Sequence, residues 1–273
     1  MIYLSPRRRP TIPGTDNGLK NAGGLKKLLD AYYRKINRPE FITHDPVQFP
    51  HRYKKSQDRE IAAFLAASIA WGRRDLILKS AEKMFALMGK SPYDFVMKGD
   101  YSKLATGQNG RRSIHRTFFE DDLIYFCRGF RACYEKFGSL EALFASAAGI
   151  WEGIRVFRQT MAAGNGSPSK HISDAEAGSA CKRLNLALRW LVRQEGPVDL
   201  GLWKSISPSS LFIPLDLHVG RAARQLGLLD SGRKANDKKA VIMITEKLRV
   251  FCPEDPVKYD LALFGYGMAN GLK

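Results

Sequence analysis

Apolar residues at helical spacing are the feature of this sequence that most restricts its fold. The segment GLKKLLDAYYRKI places its apolar residues on one side of a helix, and these are Leu25, Leu28, Leu29, Tyr32 and Ile36. Residues 56–70 are apolar almost all round after a Ser or Asp cap, which is typical of a helix buried on every side. Helical patterns recur in FFEDDLIYFCRGFRACYEKFG, SLEALFASA and NDKKAVIMITEKLRVF, while alternating strand patterns are rare. The sequence therefore predicts an all-α fold.

The charge of the chain indicates the kind of partner it binds. Among 273 residues, 44 are Lys or Arg and 27 are Asp or Glu, so the formal net charge at pH 7 is +17. This excess favours a polyanionic partner, most simply nucleic acid, and a membrane surface is the alternative. The length fits either one large domain or two closely packed lobes.

Residues 1–24 differ in composition from the rest of the chain. They contain RRRP and TIPGTDNG, which supply basic and turn-forming residues but no apolar period. We expect a basic, flexible arm there, followed by a domain over residues 25–273. No stretch approaches the roughly 18 apolar residues that span a bilayer, and the first residues lack the apolar core of a secretory signal. The expectation is a cytoplasmic, monomeric protein.

The cysteines argue against a metal centre. Cys127, Cys133, Cys181 and Cys252 are separated by 6, 48 and 71 residues, which matches neither a CxxC zinc knuckle nor an iron–sulfur run. We interpret them as free thiols that serve mainly in packing. The sequence predicts neither a metal site nor a cofactor.

A basic helix is predicted after a polar loop. Residues 162–178, AAGNGSPSKHISDAEAG, have the composition of a loop that faces solvent or a ligand. The next segment, GSACKRLNLALRWLVRQ, carries a polar stripe at spacings of three and four that consists of Lys182, Asn185, Arg189 and Arg193. Such a stripe is usually a solvated helix face, and the alternative is a functional lysine surrounded by cations.

Asp216 lies in FIPLDLHVGRAARQLGLL, immediately before another helical pattern. An Asp at this place can cap the free backbone N–H groups of a helix, and Gly227 is a plausible helix stop. Capping alone would explain the residue. A functional carboxylate is the competing interpretation, and the two roles are compatible because each uses a different lone pair.

The segment GSACK followed by PLDLHVGRAARQLGL resembles the helix-hairpin-helix DNA glycosylases, in which a Gly-x-Gly-x-Lys turn precedes a VDTHV-x-R segment. The resemblance implies a two-lobed helical fold with a cleft between the lobes. It places Lys182 as the nucleophile, Asp216 as its carboxylate partner, and His218 and Arg221 at the two following motif positions. For His218 a helix-packing or backbone-bonding role is the favoured interpretation, because no metal-ligating residues are near it in the sequence.

Two details refine the resemblance. Ala180 replaces the second hairpin glycine, and no LPG precedes it. The interval of 34 residues from Lys182 to Asp216 and the missing cysteine cluster are more similar to archaeal 8-oxoguanine glycosylases than to endonuclease III. The pattern also resembles a bacterial family without an assigned function.

The first half of the chain resembles the N-terminal part of the same superfamily. REIAAFLAASIAWGRRDLILKSAEKMF forms an apolar helix, a break and a polar helix, and in those enzymes the break faces the damaged base. An indole followed by arginines suits base stacking and phosphate binding, although ordinary packing of the indole fits as well. The candidate DNA contacts are Trp71, Arg73, Arg74, His115, Arg116, Arg183, Asn185, Arg189, His218 and Arg221.

The function expected from these residues is that of a DNA glycosylase, with or without AP lyase activity, that removes a damaged base, such as an oxidised one, from duplex DNA in base excision repair. One alternative is a non-catalytic protein that binds DNA or structured RNA on the same scaffold. Another is a basic scaffold that contacts proteins. Retention of both Lys182 and Asp216 favours the enzyme, because a pure binding module needs neither.

Overall fold

The computed structural model describes residues 22–105 and 112–272, and helices dominate both ranges. The helices are α1 (Ala22–Ile36), α2 (Pro39–Ile42), α3 (Gln48–His51), α4 (Ser56–Ser68), α5 (Arg74–Met88), α6 (Pro92–Lys98), α7 (Ser102–Ala105), α8 (Glu120–Phe137), α9 (Leu140–Ala145), α10 (Ile150–Ala163), α11 (Lys182–Val192), α12 (Leu217–Gln225), α13 (Lys238–Phe251) and α14 (Tyr259–Ala269), with 3₁₀ turns at Pro208–Ser210 and Pro256–Lys258. The prediction of an all-α fold is confirmed.

A two-stranded hairpin is the one β-sheet within the described ranges. Strand β1 (Ser113–His115) pairs antiparallel with β2 (Phe118–Phe119), and Arg116 in the turn has a φ of 52°. Strands of three and two residues are too short to show an alternating pattern, so they could not be predicted from periodicity.

Helix α4 runs through the middle of the apolar core. Its residues from Glu60 to Ser68 are all buried, and the Phe64 ring stacks on Phe157 with ring centroids 4.9 Å apart. The predicted Ser or Asp cap is wrong, because Lys55 occupies the cap position and makes no side-chain cap bond. Asp58 instead accepts hydrogen bonds from Ser91 Oγ and Tyr93 N, so it orients the start of α6.

The two ends of the described chain pack against each other, as α1 lies along α14. Helix α1 begins at Ala22, so residues 22–24 of the predicted arm belong to this helix. The remainder of that arm, residues 1–21, lies outside the described residues.

All four cysteines are unpaired thiols, as the sequence predicts, and Cys127, Cys133 and Cys181 are buried. Within residues 22–105 and 112–272, no helix is both long and apolar enough to cross a membrane.

Candidate active site

A large cavity opens where the break after α4 meets the starts of α11 and α12. Its volume is about 1410 Å³. The wall includes residues of the 45–46 turn, the 70–74 break, the 170–183 segment, the start of α12 and the exposed side of α14. Lys182 and Asp216 both line this cavity, although 34 residues separate them in the sequence.

Lys182 is the first residue of α11 and follows a left-handed residue, Cys181, with a φ of 47°. Its side chain is 27% exposed. The Nζ atom donates a hydrogen bond to the Ala70 carbonyl oxygen at 2.9 Å and lies 3.8 Å from Asp216 Oδ2. The amine is thus held at the cavity wall by a carbonyl of the 70–74 break, beside a carboxylate from a third segment.

Asp216 divides its two oxygens between two tasks. Oδ1 accepts a hydrogen bond from the Val219 amide at 2.9 Å and so caps α12, while Oδ2 faces Lys182. The predicted cap is confirmed. Helix α12 ends at Gln225, and Gly227 follows it with a φ of 69°, as expected for a helix stop.

Two further carboxylates line the cavity, and sequence reasoning missed both. Asp260 lies on α14 and forms an ion pair with Arg189, while burial raises its pKa to about 6 against the lowering effect of that guanidinium. Asp45 precedes α3, and burial raises its pKa although the Arg74 guanidinium opposes this from 3.9 Å. Neither residue belongs to the motif, and only the tertiary fold brings them near Lys182.

The polar stripe of α11 is largely buried, which corrects its interpretation as a solvated or DNA-facing surface. Asn185 is 1% exposed and donates to the Ala180 carbonyl oxygen, so it is no DNA contact. Arg189 lines the cavity, but its guanidinium is occupied by Asp199 and Asp260. Arg193 is 0% exposed and pairs with Asp199 and Asp255. Burial is tolerated because each cation has carboxylate partners.

Trp71 is half-buried at the break after α4 and lines the cavity. Its ring stacks on His171, with centroids 6.0 Å apart, and the Arg183 guanidinium lies over it at 5.1 Å. Arg183 also donates to the Ser68 carbonyl oxygen at the end of α4. The indole therefore has packing partners and also borders the cavity. His171, in the predicted loop, is a site residue that the sequence did not single out.

The prediction that His115 contacts phosphate is wrong, because this residue is buried. It is 2% exposed and its two ring nitrogens face Ser80 Oγ and the Trp71 carbonyl oxygen, at 3.0 and 2.9 Å. The ring thus fixes the Trp71 backbone against α5 and β1. Burial beneath the indole, with which it makes an edge contact at 4.9 Å, keeps it from solvent.

The remaining candidates lie at the surface. Arg73, Arg116 and Arg221 are exposed, whereas Arg74 is half-buried with its guanidinium 4.9 Å from the Phe264 ring centroid. His218 is exposed at the cavity, where its Nδ1 atom lies 3.0 Å from the Leu272 carbonyl oxygen. This is the backbone contact that the sequence left as one of two possibilities for His218.

The loop predicted over residues 162–178 is confirmed from residue 164 onward, whereas residues 162 and 163 belong to α10, and no helix or strand occurs until Lys182. Gly178 has a φ of 82°, and Ser179 forms an isolated antiparallel bridge with Asp237. The turn before Lys182 is therefore held by a neighbouring strand-like segment and not by a preceding helix.

Comparison with known proteins gives a family. The model of the family described as "Protein of unknown function (DUF2400)" matches residues 45–269. The chain belongs to this family. No curated protein and no solved structure matches it. The DUF2400 region begins at Asp45 and includes Lys182, Asp216 and Asp260, so the whole carboxylate-and-lysine group lies within the matched span.

Proposed function

We propose that this DUF2400 protein is a DNA glycosylase with AP lyase activity that removes a damaged base from duplex DNA. The observation that carries the proposal is the approach of Lys182 Nζ to within 3.8 Å of Asp216 Oδ2 in one large cavity. A lysine nucleophile with an adjacent carboxylate is the arrangement that the resemblance to helix-hairpin-helix glycosylases implies. Trp71 and the surrounding cations support the same function.

The chemistry assigned to the pair starts with a proton transfer. Lys182 must lose a proton to become a nucleophile, and Asp216 Oδ2 is the nearest carboxylate oxygen that is not engaged in capping. The amine then attacks C1′ of the deoxyribose. A bond forms between Nζ and C1′, while the glycosidic bond breaks and its electron pair leaves with the base. The base takes up the proton that Asp216 removed from Lys182, so the carboxylate is ionised again. Transfer of a remaining Nζ proton to O4′ opens the sugar ring and yields a protonated Schiff base between lysine and C1′.

Asp216 has a second role in this reaction. Positive charge develops on the sugar as the glycosidic bond breaks, and an ionised carboxylate nearby stabilises that charge. The cap bond from Val219 N fixes the direction of the side chain before substrate arrives. The proposal thus uses one oxygen to orient the residue and the other for chemistry.

The size and charge of the surroundings support DNA as the substrate. A base inside a duplex is out of reach of Lys182, so the target nucleotide must be extruded into the cavity. At about 1410 Å³ the cavity exceeds the roughly 300–1,000 Å³ that is typical of small-ligand pockets, which leaves room for a nucleotide. Exposed Arg73, Arg116 and Lys170 and the net charge of +17 favour binding of the flanking phosphates.

Borohydride trapping tests the proposal. Duplexes with an abasic site and with a panel of oxidised, alkylated and deaminated bases are incubated with the protein and sodium borohydride. A Schiff base is then reduced to a stable protein–DNA adduct. We expect an adduct on the abasic duplex and on at least one lesion. Salt-dependent DNA binding without any adduct or base release would contradict the enzyme and support the non-catalytic binding protein.

The salt dependence of DNA affinity is a separate prediction. Each phosphate contact that is lost should lower the slope of log affinity against log salt by about one. We expect this change for Arg116→Ala and for Arg221→Ala, two exposed arginines, measured by fluorescence anisotropy on an abasic duplex. Arg131→Ala is the control, because this exposed arginine is paired with Glu135 on α8. Affinity that is flat between low and moderate salt would contradict the DNA partner.

A further inference from the structure

A short segment, residues 236–238, contacts both halves of the candidate active site. It lies at the start of α13 and follows the loop after α12. One of its residues bonds to the backbone of Asp216, and another bonds to the turn that precedes Lys182. We call residues 236–238 the clamp.

The first link reaches Asp216. Asn236 Nδ2 donates a hydrogen bond to the Asp216 carbonyl oxygen at 3.0 Å. The same oxygen accepts the Gly220 amide of α12 at 2.9 Å, so the cap residue is held by its own helix and by the clamp. Asn236 also borders the cavity.

Arg224 holds Asn236 in place. Its Nη2 atom donates to Asn236 Oδ1 at 2.7 Å, while Nε donates to the Arg233 carbonyl oxygen at 2.6 Å. These groups cross directly over Gly220, where a Cβ atom would lie 2.6 Å from Asn236 Oδ1. Only glycine permits so close an approach, which makes the clamp an integral part of α12 packing.

The second link reaches the turn before Lys182. The Lys238 amide donates to the Gly178 carbonyl oxygen at 2.9 Å, and Asp237 pairs with Ser179 in the isolated bridge. Ser179 Oγ in turn accepts the Cys181 amide at 3.2 Å. The backbone that aims Lys182 is therefore attached to the clamp through two consecutive residues.

We propose that the clamp sets the separation of Lys182 and Asp216, with Asn236 and the Lys238 amide as positioning groups. The proposal rests on the proposed function for its catalytic consequence. At 3.8 Å the amine and the carboxylate are beyond hydrogen-bond distance, so their pairing alone does not fix their spacing. The clamp fixes this spacing, because it forms hydrogen bonds to the backbone of Asp216 and to the turn before Lys182.

The activity test is a double-mutant cycle. The rate of Schiff-base trapping on an abasic duplex is measured in single turnover for Asn236→Ala, for Asp216→Asn and for the double variant. If Asn236 acts through Asp216, Asn236→Ala slows the reaction about tenfold in the Asp216 protein and leaves the Asp216→Asn protein unchanged. Equal slowing in both backgrounds, or no slowing in either, would overturn the proposal.

Matched variants separate positioning from general destabilisation. Asn165→Ala also removes two hydrogen bonds of an asparagine side chain, which Asn165 Nδ2 donates to the Tyr125 and Met161 carbonyl oxygens. This variant should leave the trapping rate unchanged. Lys238→Pro removes the N–H that reaches Gly178 O together with the side chain, and it should not disrupt α13, because proline is well tolerated at the first position of a helix. Lys238→Ala controls for the lost side chain. Slowing by Lys238→Pro but not by Lys238→Ala is expected, with DNA affinity within about twofold of the parent.

Amide hydrogen exchange tests the clamp even if the protein forms no Schiff base. The Val219 amide is protected by the Asp216 cap, and loosening of Asp216 by Asn236→Ala should speed its exchange about tenfold. Exchange of the Ala142 amide, which Ser139 caps on α9, should not change. Unchanged Val219 exchange would overturn the clamp, whereas absence of trapping by the parent protein would overturn the proposed function alone.

Discussion

Replacing Lys182 by glutamine should abolish borohydride trapping on an abasic duplex. The amide of glutamine can still donate to the Ala70 carbonyl oxygen, which Lys182 Nζ reaches at 2.9 Å, but it cannot form a Schiff base. DNA affinity should stay within about twofold, since one charge among many phosphate contacts contributes little. Lys170→Gln is the matched control, because Lys170 also lines the cavity but its charge acts on Asp122, the carboxylate that pairs with His171. Adduct formation by Lys182→Gln would assign the nucleophile elsewhere.

Asp216→Asn separates chemistry from capping within the same assay. Asparagine caps helices about as well as aspartate, so the bond from Val219 N and the melting temperature should survive. The charge beside Lys182 is lost, and the trapping rate should fall by about a hundredfold, within the range for one general acid–base group. A fully active Asn variant would leave Asp216 with capping as its sole role.

The elements that the sequence predicts well are those with local causes. Helices α1, α8 and α13 follow from apolar spacing, and the Asp216 cap and the Gly227 stop follow from short-range backbone chemistry. The loop before α11 follows from its glycine, serine and proline content. In each case the responsible residues lie within a few positions of one another, so no knowledge of the tertiary fold is required.

The candidate site could be predicted only in part. Lys182 and Asp216 were found through a motif, whereas Asp45 and Asp260 carry no local signal. Asp260 lies in the first turn of an apolar helix, and its partner, Arg189, is 71 residues away in the sequence. Charge periodicity also led to a wrong prediction for the polar stripe of α11. A row of cations at helical spacing has the same pattern in the sequence whether it faces water or buried carboxylates. The distinction depends on which acidic residues the fold brings to that face.

Asp199→Asn should cause the largest loss of stability, because this carboxylate joins two buried arginines, Arg189 in α11 and Arg193 directly after it. Its Oδ1 atom accepts Arg189 Nε and Nη2 at 3.2 Å each, and its Oδ2 atom accepts Arg193 Nη1. The asparagine amide would present donors to one of the guanidinium groups, so buried charge-assisted hydrogen bonds are lost, although Arg189 keeps Asp260 and Arg193 keeps Asp255. The loss of such bonds costs about 2–3 kcal/mol of the free energy of unfolding.

Urea denaturation followed by circular dichroism measures this loss, with Asp75→Asn as the control. Asp75 also pairs with an arginine, Arg73, but both side chains are more than half exposed, so its replacement should leave the unfolding free energy almost unchanged. Equal losses of unfolding free energy for Asp199→Asn and Asp75→Asn would contradict this prediction. They would show that burial of Arg189 and Arg193 does not determine how much their ion pairs contribute to stability. Arg189 also pairs with Asp260 at the cavity wall. Loss of Asp199 should therefore disturb the position of Asp260 in the site as well as destabilise the core. An Asp199→Asn protein that stays folded at low temperature should therefore trap DNA more slowly than the Asp75→Asn control.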